Sequence, residues 1–132
     1  QESWYQDWYL YERERFQHMY LSMLDKLMDY CEAHCSYEEG LSYGSLILQC
    51  ERARERTYRR LMRLYCQSGD RTAALRQYEV CRKALRRELD IEPSEMTTRL
   101  YEQIRDGLLS APAPASPPPL PEGEVGEGKS QK

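Results

Sequence analysis

Cys31, His34 and Cys35 are the residues whose types and spacing come nearest to chemistry in this 132-residue chain. Thiolates and imidazoles are the usual ligands of zinc, and Cys31 and Cys35, four residues apart, would share one face of a helix with His34 beside them. A structural zinc site needs four ligands, commonly held in short knuckles. No second cysteine pair matches this spacing, and the other histidine, His18, lies about four turns earlier on the same expected helix. Cys31 also falls on an inward position that suits a small apolar residue. No metal and no cofactor is expected. Catalysis has as little support. There is no glycine-rich phosphate loop, and neither His18 nor His34 has a nucleophile and an acid arrayed around it. Glu38 and Glu39 sit beside an expected helix start, where carboxylates complement the helix dipole. The chain reads as non-enzymatic.

Its other concentrated chemistry is charge. Residues 52–63 carry six arginines against one glutamate. Arg52, Arg56, Arg59, Arg60 and Arg63 recur at helical spacing along one side. Arg82, Lys83, Arg86 and Arg87 form a second basic cluster. Such faces suit phosphates or an acidic partner, or else are solvated and paired with acids such as Glu38, Glu39 and Glu51. The net charge of −3 makes the whole chain no general polyanion binder, so nucleic-acid contact would need one of these local faces.

Five helices must position these groups. The first is expected over Trp4–His34, with Phe16, Tyr20, Leu24, Leu27 and Cys31 on one face. Trp4, Trp8 and Tyr11 form a second, aromatic stripe. It could fold back on the fifth helix, or dock a neighbouring domain or a second subunit as aromatic anchors do. Ser36 and Glu39 predict a capping box opening the second helix, whose apolar face is Leu41, Gly44, Ile47 and Leu48. The third helix, about 53–67, turns Tyr58, Leu61, Met62 and Tyr65 inward. Gly69 suits a left-handed C′ residue and Asp70 an N-cap. Ala74, Tyr78, Cys81 and Leu85 line the fourth helix, which Asp90 and Pro93 close. Ser94 caps the fifth, with Met96, Leu100 and Ile104 inward. No segment alternates with period two, so the fold class is all-α.

The first four helices repeat. Leu27 and Leu61, Met28 and Met62, Cys31 and Tyr65, Gly40 and Ala74, and Gly44 and Tyr78 each stand 34 residues apart, the tetratricopeptide (TPR) period. Each hairpin can bury only one side of itself, so stacking stabilises the array and leaves a concave surface for proteins or small ligands.

From Ala111 the composition changes to "APAPASPPPLPEGEVGEGKSQK", which holds six of the seven prolines and almost no large apolar residue. Such a segment cannot bury enough surface to offset its ordering entropy. Residues 111–132 are therefore expected to be a disordered, partly polyproline-like tail or linker, and residues 1–110 the folded unit. No 18-residue apolar run suggests a membrane span and no secretory leader opens the chain, whose Gln1 reads as a cut end. Five cysteines, an odd count, point to reduced thiols and a cytoplasmic setting.

The text "RRLMRLYCQSGDRTAALRQYEVCRKALRRELDIEPS" resembles the bacterial transcriptional activator domain (BTAD), the helical half of SARP-type regulators. The matching features are Leu61–Met62, Gly69–Asp70, Ala74–Leu75 with Tyr78, and Glu88–Leu89 with Glu92–Pro93–Ser94. Trp8 with Glu12–Arg13 and Arg15 matches the family's opening helix. The resemblance covers about residues 4–109. Two positions depart from it. Asp90 stands where the family often has glycine, and the left-handed turn there should survive because Asp tolerates that region. Arg52 stands where proline is common, which would let the second and third helices run closer to continuous.

The resemblance implies a non-catalytic module of a cytoplasmic transcription factor, with a winged-helix DNA-binding domain upstream in the parent chain. Partners would be RNA polymerase or another protein, or a second copy in a homodimer. DNA would be touched only indirectly or through phosphates, and no membrane is involved. The alternatives are a stand-alone TPR adaptor binding a peptide and a sensor using the groove between the first and third helices for a small ligand.

Overall fold

The computed structural model describes residues 2–109. Five α-helices follow in order: α1 (Glu2–Ala33), α2 (Tyr37–Cys50), α3 (Glu55–Gln67), α4 (Arg71–Leu89) and α5 (Glu95–Arg105). Among the described residues there is no strand. α1 and α2 form one antiparallel hairpin and α3 and α4 a second. α2 packs on α3, and α5 closes the stack against α4 and α3. The segment 111–132, read above as a tail, lies outside the described residues.

The 34-residue repeat is written in the turns as well as in the core. Cys35 and Gly69, 34 apart, both have positive φ, 57° and 92°. The Ser36 N–H donates to the Cys31 carbonyl at 2.9 Å, and its counterpart Asp70 donates to Tyr65 at 2.8 Å. One residue earlier, Cys35 N–H reaches Glu32 O at 3.5 Å and Gly69 N–H reaches Cys66 O at 3.1 Å. Both hairpins thus close with a Schellman motif, which satisfies the last carbonyls of the first helix while reversing the chain. Gly69 adopts the left-handed conformation freely, whereas Cys35 does so at a cost of about 1 kcal/mol.

That turn corrects one expectation. α1 ends at Ala33, so Cys35 leaves the helix and does not share a face with Cys31. Cys31 is buried against α2, and His34 stacks on Tyr30 with ring centroids 3.9 Å apart.

The caps divide by backbone angle and side-chain length together. Asp70 accepts from Ala73 N–H at 3.0 Å, and Ser94, with ψ 166°, accepts from Thr97 N–H at 3.5 Å. Ser36 makes no side-chain cap bond, so the expected capping box with Glu39 does not form. Ser36 and Asp70 have similar ψ, 73° and 75°, and at that angle the longer Asp side chain reaches the free donors while the Ser hydroxyl falls short. Asp90 takes the left-handed conformation expected of it, at φ 57° and ψ 42°. Arg52 does not fuse its neighbours: α2 stops at Cys50 and α3 begins at Glu55, and the Tyr58 hydroxyl donates to the Arg52 carbonyl at 2.7 Å to hold the turn between them.

Three buried clusters follow the stacking. Leu21, Leu24 and Met28 of α1 meet Ile47, Leu61 and Leu64, with Leu27 half-buried against them. Met62, Cys66, Ala74 and Tyr78 meet Leu100 and Ile104 of α5. Tyr58, Cys81 and Leu85 join beneath Leu48. The small residues at the repeat positions permit this closeness. A Cβ on Gly44 would lie 2.5 Å from Leu61 Cδ2, and Ala74 is fully buried.

Three expected core residues are outside, two of them in α1. Phe16 and Tyr20 are exposed, and α1 buries its first side chain at Leu21. The repeat explains the boundary: α3 begins at Glu55, 34 residues after Leu21, so only Leu21–Ala33 has a hairpin partner. In α5, Met96 is 66% exposed and Thr97 takes the inward place.

Candidate interaction surfaces

Residues 2–20 of α1 extend roughly 28 Å beyond the hairpin. Trp4, Trp8 and Tyr11 are 65%, 53% and 63% exposed, so the fold-back onto α5 does not occur. Tyr5 stacks on Trp8 and meets Trp4 edge-on, with centroids 6.3 and 6.2 Å apart. Tyr9, Phe16, Met23 and Tyr30 recur every seven residues, with Met19 and Tyr20 beside them, all exposed. A seven-residue apolar repeat is the period of a packed helix seam. This one lies beside the core line of Leu21, Leu24 and Met28, about a quarter to a third of a turn around the helix. A shallow cleft of about 540 Å³ along it is bordered by His18, Met19, Met23 and Leu27.

The arginines of α3 do not form one exposed face. Arg60 points under α1 with its side chain 4% exposed. It donates to Glu32 at 3.1 Å, lies 3.5 Å from Asp25, and pairs with Asp29. Burial alone would lower the guanidinium's pKa, but the bonds and charges of Glu32 and Asp29 outweigh it and hold it above its usual value. Arg54, in the turn before α3, pairs with Asp25 at 2.5 Å and Glu51 at 3.6 Å, and Arg56 reaches Asp25 at 3.8 Å. The acids that pair with this region are therefore chiefly those of α1; of Glu38, Glu39 and Glu51, only Glu51 takes part. Arg52 is exposed. Arg59 turns toward α5, donating to Thr97 Oγ1 at 2.9 Å. Arg63 is exposed as a residue and has no ion-pair partner among the described residues.

Arg59, Arg63 and Arg99 border a groove of about 600 Å³ between α3 and α5, floored by Met96 and Leu100. On α4, Arg82 pairs with Glu79 at 3.1 Å and Arg86 with Asp90 and Glu92 at 2.9 and 2.5 Å. Lys83 and Arg87 are exposed and make no ion pair among the described residues.

Against this helical stack, the family model described as the bacterial transcriptional activator domain matches residues 2–105. The chain belongs to that family. No curated protein and no solved structure matches it. The match begins with α1 and ends at the last residue of α5, so the uncovered α1 extension lies within the activator domain. A domain of this family is a regulatory part of a transcriptional activator, and no helix of this one is long and apolar enough to cross a membrane. Among its described residues no cluster of metal-ligating side chains occurs.

Sequence reasoning passed over Arg54, Asp25, Asp29 and Arg99 in this activator domain. A signal for the acids was present: Asp25, Asp29 and Glu32 step by four and three, the spacing of one helical stripe opposite the arginines of the following repeat.

Proposed function

We propose that the domain is the protein-contact and regulatory module of a cytoplasmic, DNA-binding transcriptional activator. It acts by holding an adjoining domain or subunit rather than by reading bases. The observation that carries this is the α1 extension, a rigid arm whose aromatic seam has no partner within the domain. Aromatic anchors on a helix that needs no further ordering are efficient contact residues, because little conformational entropy remains to be lost on binding. An upstream winged-helix domain is the first candidate for the seam, and a second copy of the chain the next. The exposed Arg56 and Arg63 and the part-buried Arg59, with Lys83 and Arg87 on α4, supply a separate charged surface suited to RNA polymerase or to phosphates.

The test is a reporter assay in the parent regulator carrying Trp8→Ala with Phe16→Ala. Both side chains are exposed, so the helical signal and melting temperature should hold while activation falls about ten-fold or more. Full activation by that variant would refute the arm's role. Reversing Arg56, Arg59 and Arg63 to Glu should also cut activation without unfolding the domain.

A further inference from the structure

The groove between α3 and α5 is positively charged for a reason that lies in its own hydrogen bonds. Glu55, the acid nearest Arg59, spends its carboxylate on α5: Oε2 accepts from Ser94 N–H at 2.7 Å and from Thr97 Oγ1 at 2.5 Å. Arg59 stays 3.9 Å from it and donates to Thr97 Oγ1 at 2.9 Å, so its charge is only partly matched by an acid. Arg99 is held only by Glu95, in an exposed pair at 2.6 Å that water and salt screen and another carboxylate can replace. Arg63 has no pairing acid among the described residues. Burial, with Arg59 and Arg60 beside it, pushes its guanidinium below the usual range although Glu32 pulls the other way. Three cations thus converge on a cleft whose floor, Met96 and Leu100, is apolar. Charged walls beside the apolar Met96 and Leu100 suit an extended acidic peptide with an occasional aliphatic residue.

The chain itself supplies such a segment, and the fold delivers it to the groove's mouth. Beyond α5 the backbone returns to α3, where the Leu109 carbonyl accepts from Cys66 Sγ at 3.0 Å. Cys66 stands one turn beyond Arg63, so the chain leaves the described structure at the end of the groove. Eleven positions on, the sequence reads Leu120, Pro121, Glu122, Gly123, Glu124, Val125, which puts Glu122 thirteen residues beyond Leu109. Thirteen residues reach up to about 40 Å even as stiff polyproline, several times the length of the groove wall. Glu122 and Glu124, two apart, would stand about 6–7 Å from each other in an extended strand. Arg59 and Arg63, four apart on a helix, are offset by about 6 Å along its axis. In the same extended form Leu120 shares the side of Glu122 and Glu124, where it would meet the apolar floor.

We propose that the groove between α3 and α5 is a binding site for an acidic extended peptide, and that its occupant is this chain's own segment 120–127, with Glu122 and Glu124 set against Arg59, Arg63 and Arg99. The segment caps part of the basic surface invoked above, so the inference rests on that reading of the arginines. It would make access to them competitive.

The test uses the full chain and a synthetic peptide of residues 118–127. In the Glu122→Gln/Glu124→Gln chain the groove is vacated, so amide resonances of α3 and α5 around Arg63 and Arg99 should shift from their wild-type positions. The added peptide should bind this variant about ten-fold more tightly than it binds the wild-type chain, where the tethered copy competes. Arg63→Glu should abolish both effects. Equal affinity for the two chains would show that the groove takes acidic peptides from outside and overturn the internal occupant. Absence of binding to the variant would overturn the site itself. Neither result depends on activation, so the reporter assay above stands or falls separately.

Discussion

The Arg60 guanidinium of α3 donates from Nε to the Glu32 carboxylate of α1 at 3.1 Å, across the face where the first helices of the two hairpins meet. Arg60 is the buried partner and Glu32 the half-exposed one. The cation is enclosed by acids of one element, so its desolvation is offset without any other part of the fold.

Arg60→Ala should therefore do more than remove a surface charge. It leaves Glu32 without its partner and removes a packed side-chain stem, a loss of about 2–3 kcal/mol. Asp29, 63% exposed, adds little to that figure. A urea-denaturation cycle with Glu32→Gln should show coupling of about 1 kcal/mol. Additive single effects would contradict the pairing.

Gly44→Ala sets helix propensity against packing. Alanine gains about 1 kcal/mol in a helix interior. The new Cβ, however, meets Leu61 Cδ2 at 2.5 Å and Met28 Cε at 3.2 Å in the core, an overpacking cost of about 1–3 kcal/mol. The net expectation is destabilisation near 1 kcal/mol, a melting temperature lower by about 4–8 °C. A rise in melting temperature would mean that α2 does not approach α3 this closely.

Glu55 makes the docking of α5 depend on pH. Burial raises its pKa, but the bonds from Thr97 and Ser94 and the charge of Arg59 outweigh that and hold it below its ordinary 4.5. A depressed carboxylate stabilises the fold above its unfolded value and loses that contribution as pH falls through its folded value. Glu55→Gln should cost about 1–2 kcal/mol at neutral pH and progressively less as the pH falls below 4.5 and through the folded value. Parallel stability curves for the two proteins from pH 7 to 3 would sink the assignment.

Thiol reactivity should divide the five cysteines. Cys35 and Cys50 are exposed, while Cys31, Cys66 and Cys81 are buried. Burial, with Glu55 nearby, pushes the Cys81 thiol up to about 12, and burial also raises Cys31 and Cys66. An aromatic disulfide reagent should label two thiols promptly and the other three only in denaturant. Fast labelling of Cys81 would mean that α4 does not pack on Tyr58 as described.

Helix number, the Gly69 and Asp90 turns, and the Asp70 and Ser94 caps were readable from the sequence because each depends on residues within a few positions of one another, and the 34-residue repeat because like residue types recur at a fixed spacing. The inward line of α4 was readable for the same reason: Ala74, Tyr78, Cys81 and Leu85 step by four, three and four along one helix face. Ser36 failed as a capping residue over a backbone angle no sequence displays. Phe16 and Tyr20 were misplaced because periodicity identifies a face but not whether anything stands opposite it.

The basic residues show the same division more sharply. Their abundance and helical spacing belong to the chain alone, as do the aromatic stripe of α1 and the acids of residues 120–127. Which arginine is buried, which is spent on a neighbour and which stays free was decided only when α1 and α5 packed on either side of α3. Charge is a local property of a residue, but its compensation depends on groups some 30 residues away in sequence, such as Glu32 for Arg60 and Thr97 for Arg59. Tertiary packing alone brings those groups within the few ångströms over which they act.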